Sequence, residues 1–313
     1  MRIFVSVASY RDAELVPTVL DALATARHPE RLRFGVCWQH GDDEDVTPLL
    51  GHPQVDIMDV HWRDSSGACW ARAECMKMFD GEDVFMQIDS HHRFVPHWDD
   101  KALAALARAP GDRPVLTTYP PIYEPGTDPD PDAAPLQLLH YDFDDFNIPL
   151  VRPSAIPDWA ALGRRPFRAR FIAAGFIFAP GSFPADVPYN PERYFHGEEI
   201  DLTVRSFTRG YDLFHPTEVL LWHNYGGTYR RKHWEDHPRG GPTIGWSVRD
   251  RLSRAGVRKL LLRGAVGPLA LGTERTLADY CAYAGVDFAA RTATPETLSG
   301  AEPAACAPAP AAA

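Results

Sequence analysis

The stretch Val84-Phe85-Met86-Gln87-Ile88-Asp89-Ser90-His91-His92-Arg93-Phe94 climbs through apolar residues and ends in a carboxylate and two imidazoles. A short apolar segment bounded by polar residues predicts a buried strand. In an open α/β sheet, ligands bind beyond the carboxyl ends of strands. Asp89 and His91 stand two apart, so an extended backbone sends both side chains to one side. A carboxylate oxygen and an imidazole converging on one point make half of a divalent-cation site, of a kind that suits Mn2+. The alternative is a polar strand end in solvent. Val219–Trp222 repeats the form, an apolar run followed by His223. His196-Gly197-Glu198-Glu199-Ile200-Asp201 opens a helical pattern. Carboxylates are favoured at a helix N-terminus by the dipole, which accounts for at least one of Glu198, Glu199 and Asp201 without any catalytic role. Gly226–His237 is locally basic. Glycines followed by Arg230, Arg231 and Lys232 suit a phosphate-holding loop, and equally a solvated charged one.

These residues need a scaffold, and the flanking sequence supplies one. Ile3–Ala8, Arg33–Trp38 and Val55–His61 read as strands, and Leu15, Val19, Leu20 and Leu23 recur at helical spacing. Trp70–Phe79 reads as a helix leading into the Asp89 strand. Strands alternating with helices imply βαβ units and a mostly parallel sheet. Val115–Thr118 and Phe171–Phe178 read as further strands, with Gly175 inside the second. A glycine there marks close approach by a ligand or a neighbouring backbone, or a bulge. Asp100–Arg108, Asp250–Leu262 and Thr276–Ala284 read as helices, and the Pro/Asp-rich segment Tyr119–Pro135 as a surface loop. The Ala/Pro/Thr-rich residues 289–313 are expected to be disordered. No GxGxxG or Walker motif follows a strand, which argues against a dinucleotide cofactor.

The chain has 313 residues, 45% of them hydrophobic, enough for one large α/β domain or two small ones. A formal charge of −10 argues against nucleic-acid or anionic-membrane partners. Five cysteines form no CxxC pair, and no apolar run is long enough to span a bilayer. The N-terminus enters a strand pattern at once, so a cytoplasmic protein is expected.

Several blocks together carry a family resemblance: Val7-Ala8-Ser9-Tyr10-Arg11-Asp12-Ala13-Glu14, Gly35–Gln39, Cys69–Arg72 and Gln87–Phe94, then Gly272–Leu277, Tyr280 and Gly285–Phe288. Over roughly residues 1–288 the chain resembles the hydroxyproline-directed polypeptide N-acetylglucosaminyltransferases that modify Skp1 in some protists, and their bacterial relatives. The resemblance implies a GT-A glycosyltransferase, a Rossmann-like α/β fold with a mixed central sheet flanked by helices. It implies one domain, with a nucleotide-binding part over about 1–110 and an acceptor part over about 111–288. By further similarity to the mucin-type polypeptide GalNAc-transferases, Asp89, His91 and His223 would hold Mn2+ or Mg2+, with His92 a neighbour. His196–Asp201 is similar to their Gly-Gly-Glu-Asn segment, with His196 in place of a glycine, so Glu198 or Glu199 would meet the donor sugar. Ser9, Tyr10, Arg11 and Gln39 would meet uracil and ribose. Arg72, Arg230 and His233 would meet the diphosphate, and Ser90 and Gly175 would border it. The implied reaction is retaining transfer, UDP-GlcNAc the first choice of donor, to a hydroxyl of a peptide, natural product or glycan. A homodimer is compatible with it. The alternatives are a metal-dependent sugar-nucleotide hydrolase or nucleotidyltransferase, and a non-catalytic binding module.

Overall fold

The first apolar run of the chain becomes the centre of its sheet. In the computed structural model, which describes residues 1–226, 230–237, 245–265 and 267–306, this run is strand β1 (Ile3–Tyr10). It pairs in parallel with β2 (Leu32–His40) on one side and β4 (Val84–Asp89) on the other, and β2 pairs in parallel with β3 (Val55–His61). A strand covered on both faces needs no polar alternation. The period of two still divides it: Ile3, Val5 and Val7 join one core cluster and Phe4 another. Helices α1 (Leu15–Thr25) and α2 (Ala68–Met76) supply those two clusters with Leu15, Val19 and Ala22, and with Cys69, Ala73 and Met76.

After β4 come β5 (His92–Phe94), α3 (Trp98–Arg108), β6 (Pro114–Thr117), β7 (Leu136–Phe143), β8 (Pro149–Ala155), β9 (Phe167–Arg168) and β10 (Phe176–Pro180). The chain continues through α4 (Phe183–Asp186), α5 (Glu198–Thr208), β11 (Asp212–His215), β12 (Leu221–His223), α6 (His233–Asp236) and α7 (Trp246–Arg263). It closes with α8 (Leu277–Ala284), β13 (Val286–Asp287), β14 (Thr292–Ala293) and α9 (Pro295–Ser299). The eight-stranded sheet runs β3-β2-β1-β4-β10-β6-β11-β9. β10 lies antiparallel to β4 and β6, and β9 antiparallel to β11, so the sheet is mixed, as expected. Helix α5 is held from outside by a third cluster, in which Ile200, Val204 and Phe207 meet Val257 and Leu260 of α7 and Tyr280 of α8.

Three local expectations are corrected. The strand read over Phe171–Phe178 begins only at Phe176. Ahead of it the Ile172 and Ala173 N–H groups donate to the hydroxyls of Thr203 and Thr117, each at 2.8 Å, so they are spent on side chains rather than on a ladder. The segment Leu136–Pro153, expected to be a further loop on the acceptor side, is instead most of a hairpin, β7 against β8. Residues 289–306 are not a loose tail. Thr294 caps α9, Gly300 at φ 73° ends it, and the buried Thr297 hydroxyl donates to Ala284 O at 2.7 Å. Specific caps override the Ala/Pro-rich composition there. Residues 307–313, the rest of the expected tail, lie outside the described residues. No described helix is long and apolar enough to cross a membrane.

Candidate active site

Two strand ends meet beyond the sheet. β4 delivers Asp89 at its carboxyl end, and three residues later β5 opens with His92. β12 runs antiparallel to β5 with His223 opposite His92, which returns a distant imidazole to the same place. His223 Nε2 lies 3.2 Å from Asp89 Oδ2, and His91 Nε2 lies 4.0 Å from the same oxygen. One ligand atom from each of Asp89, His92 and His223 also falls within a mutual 4.8 Å, so distance alone admits His92. Hydrogen bonding separates the two neighbours. His92 is spent on backbone: Nδ1 faces Trp222 O at 3.0 Å and Nε2 accepts from Asp89 N–H at 3.3 Å. His91 Nε2 and His223 Nδ1 are buried with no hydrogen-bond partner. A bare buried nitrogen is costly unless something binds it. A carboxylate oxygen with the Nε2 atoms of His91 and His223 converging on it is a donor set that fits a divalent cation.

Electrostatics favour the form a cation needs. Burial works to raise the Asp89 pKa, but Arg72, His223 and His91 outweigh it and hold the carboxyl well below the usual range. Burial lowers His223 to about 4, against the pull of Asp89, so its imidazole is neutral near pH 7. Gly175 stands directly beside this cluster. A Cβ there would come within 3.1 Å of Asp89 Oδ2, so only glycine leaves that side of the carboxylate open.

Behind Asp89 lies a buried polar chain. The Arg72 guanidinium donates to Asp89 Oδ1 and sits 2.8 Å from Glu198 Oε1. Glu198 also accepts from Cys69 Sγ at 3.1 Å and from Tyr189 OH at 3.3 Å. Glu199 points elsewhere: it accepts from Tyr119 OH at 2.7 Å and from Ala174 N–H at 3.0 Å. Burial nevertheless raises its pKa to about 7. Helix α5 presents both residues because it starts at Gly197, whose φ of 92° is a left-handed turn. Asp89, His91, His223, Arg72, Glu198, Glu199 and Tyr119 open onto one cleft of about 610 Å3. Its outer wall is apolar: Pro149, Leu150 and Val151 of β8, with the rings of Phe195 and Trp234 5.6 Å apart.

A family profile described as Glycosyltransferase (GlcNAc) matches residues 2–50 and 41–270. The chain belongs to the GlcNAc glycosyltransferase family. The fold of the chain is GT-A, like that of solved structures. Crystalline GalNAc-T7 with UDP, GalNAc and Mn2+ is 14% identical at a TM-score of 0.58, over 86% of this chain and 47% of that one. This chain therefore spans about half the length of that relative. Residues 1–349 of S. aureus TarS align at 11% identity and a TM-score of 0.47, over 84% of this chain and 73% of that one. No curated protein sequence matches.

The structure distributes the residues expected in the site unevenly. Tyr10, Gln39, Arg72, Asp89, Ser90, His91, Gly175, Glu198, Glu199, His223, Arg230 and His233 all line the cleft. Ser9, Arg11 and Asp201 do not. Ser9 is fully buried in β1, pointing into the sheet's packing. Arg11 is taken by Asp236, at 3.1 and 3.2 Å, and by Asp43 and Glu44. Asp201 is held by Arg193 at 2.7 Å and Arg205 at 3.2 Å. A position at a strand end or in the segment opening a helix does not set direction, because adjacent residues of such elements point to different sides. Arg72 lines the cleft yet is spent on two carboxylates, so it braces the site rather than offering free charge. Arg230, Arg231 and Lys232 supply positive charge at the wall, while Gly227, Thr228 and Tyr229 of the same loop lie outside the described residues. Sequence reading missed Tyr119, Tyr189 and Tyr194, the last of which binds His233 Nδ1 at 2.7 Å. Lone tyrosines carry no spacing signal.

Proposed function

We propose that this chain is a divalent-metal-dependent, retaining N-acetylglucosaminyltransferase that moves GlcNAc from UDP-GlcNAc to a hydroxyl acceptor. The observation that carries the reading is the convergence of His223 Nε2 and the bare, buried Nε2 of His91 on one oxygen of Asp89 at the foot of the cleft. Asp89, His91 and His223 would hold Mn2+ or Mg2+. When bound, such a cation supplies Lewis-acid stabilisation to the departing diphosphate. The GT-A relative GalNAc-T7, crystallised with UDP and Mn2+, supports that reading, and the family's description supports GlcNAc as donor.

The chain's own residues do the rest. Arg230, Arg231 and Lys232 form a cationic wall for the diphosphate, strengthened where water is excluded. Arg72 fixes Asp89 and Glu198 relative to each other. Tyr10 and Gln39 border the end where the nucleoside would lie. Glu199, with its pKa near 7, is partly protonated at neutral pH and can donate to or accept from a sugar hydroxyl. Glu198 is ion-paired, which disfavours it as a covalent nucleophile and suits a retaining route in which the leaving phosphate takes the acceptor proton. The resemblance to the hydroxyproline-directed enzymes makes a peptide hydroxyl the first acceptor to try, with natural-product and glycan hydroxyls next. Five free thiols suit a cytoplasmic setting.

The test is transfer from UDP-GlcNAc in Mn2+, followed by product mass, with a chelator control. Asp89→Ala is expected to abolish turnover while preserving the unfolding transition. Full activity in the chelator, or in Asp89→Ala, would refute metal dependence. UDP release with free GlcNAc as the sole sugar product in every acceptor panel would favour hydrolysis instead.

A further inference from the structure

The bare nitrogen of His91 has a cause elsewhere in the chain. Asp12 follows β1, where Arg11 at φ 45° turns the backbone and the next carboxylate is carried inward. Its side chain is 2% exposed, and Oδ2 lies 2.6 Å from His91 Nδ1. The same oxygen accepts from Ser90 Oγ at 2.7 Å, and Oδ1 accepts from Glu14 N–H at 3.0 Å. An ionised carboxylate only accepts, so a contact of 2.6 Å requires the proton to be on Nδ1 of His91. A neutral imidazole protonated at Nδ1 carries its lone pair on Nε2. That is the atom 4.0 Å from Asp89 Oδ2 with no partner. Arg230 Nη1, 2.9 Å from Nδ1, cannot donate to a nitrogen already carrying hydrogen. Its attraction is to Asp12 Oδ2, 3.7 Å away. One buried carboxylate thus orients a ring, selects its tautomer and anchors a cleft cation.

We propose that Asp12 is a positioning residue that locks His91 in the Nδ1–H tautomer and thereby equips Nε2 to bind the divalent cation. Carboxylate partners of this kind tune metal-binding histidines generally. The proposal rests on the metal reading above. It goes beyond it by assigning the tautomer, and its cause, to a residue that touches neither cation nor substrate.

Asp12→Asn separates the possibilities. The Glu14 N–H still requires an acceptor, so the amide oxygen turns there and its NH2 faces His91. His91 must then accept at Nδ1 and carry its proton on Nε2, where it cannot ligate. Nitrogen NMR of the imidazoles in metal-free protein is expected to place the His91 proton on Nδ1 in wild type and on Nε2 in Asp12→Asn. Mn2+ affinity, followed by the paramagnetic resonance of free Mn2+, is expected to fall about 10- to 100-fold in the variant. A wild-type His91 protonated on Nε2 overturns the proposal, even if the variant fails to fold. An inverted tautomer with unchanged Mn2+ affinity also overturns it and leaves the metal reading standing. A wild type that binds no Mn2+ overturns the metal reading itself, a result seen in the wild-type titration alone.

Discussion

His215 closes β11 and His223 closes β12, and by burial the two are nearly alike: 1% and 6% exposed, each pushed by desolvation to a pKa of about 4. Their partners differ. His215 sits between backbone groups, with Nδ1 on Thr117 O at 2.6 Å and Nε2 accepting from Leu138 N–H at 3.4 Å. His223 has a carboxylate on one nitrogen and nothing on the other. A buried, neutral histidine at a strand end is therefore not a mark of chemistry. The mark is an acceptor the protein has left unspent. Both Arg72 and Arg230 line the cleft, but Arg72 is consumed by Asp89 and Glu198, whereas Arg230 comes only within 3.7 Å of Asp12 Oδ2.

Substitutions can break each pairing. His223→Ala is expected to lower kcat/KM by at least about 1,000-fold, the order of several kcal/mol that a catalytic cation supplies, with little change in Tm. A small loss would put His223 in the same class as His215. Arg72→Met leaves two buried carboxylates without their shared cation and should cost about 3–5 kcal/mol in urea unfolding. A variant as stable as wild type would show that Asp89 and Glu198 do not depend on it.

His215 predicts a pH effect. Its pKa is about 4 folded against 6.5 unfolded, so the unfolded chain binds the extra proton between those values. Its contribution is complete above pH 6.5 and is lost as pH falls toward 4, on the order of 3 kcal/mol. Stability curves of wild type and His215→Leu should converge over that window, and parallel curves would refute it. The smallest effect belongs to Arg230→Ala, for which KM for the nucleotide sugar should rise about tenfold with unfolding unchanged, a change of about 1.4 kcal/mol. An unaltered KM would return that loop to the solvated-surface reading.

Much of the sheet was legible because β1 and β4 are central strands, whose requirement for apolar residues on both faces is written in Ile3–Ala8 and Val84–Ile88 with only Ser6 and Gln87 interrupting. Convergence of Asp89 with His223 was legible as two repeats of one form, an apolar run capped by a ligand-type residue. What stayed hidden depends on direction. Arg11 and Asp12 are adjacent, yet one turns outward to Asp236 and the other inward to His91. Glu199 and Asp201 share a helical turn, yet only the first faces the cleft. The β7–β8 hairpin was obscured by Pro149 and Pro153, which suit an edge strand but weaken any strand pattern.

That hairpin shares no strand with the eight-stranded sheet; it is braced from the chain's far end, where the Gln137 amide donates to Gly300 O at 3.1 Å. The cleft thus has a floor inherited from the core and one wall that is separately mounted. That wall can therefore lengthen, shorten or change composition without disturbing Asp89 or Arg72, so the outer face of the cleft and the residues at its foot can vary independently.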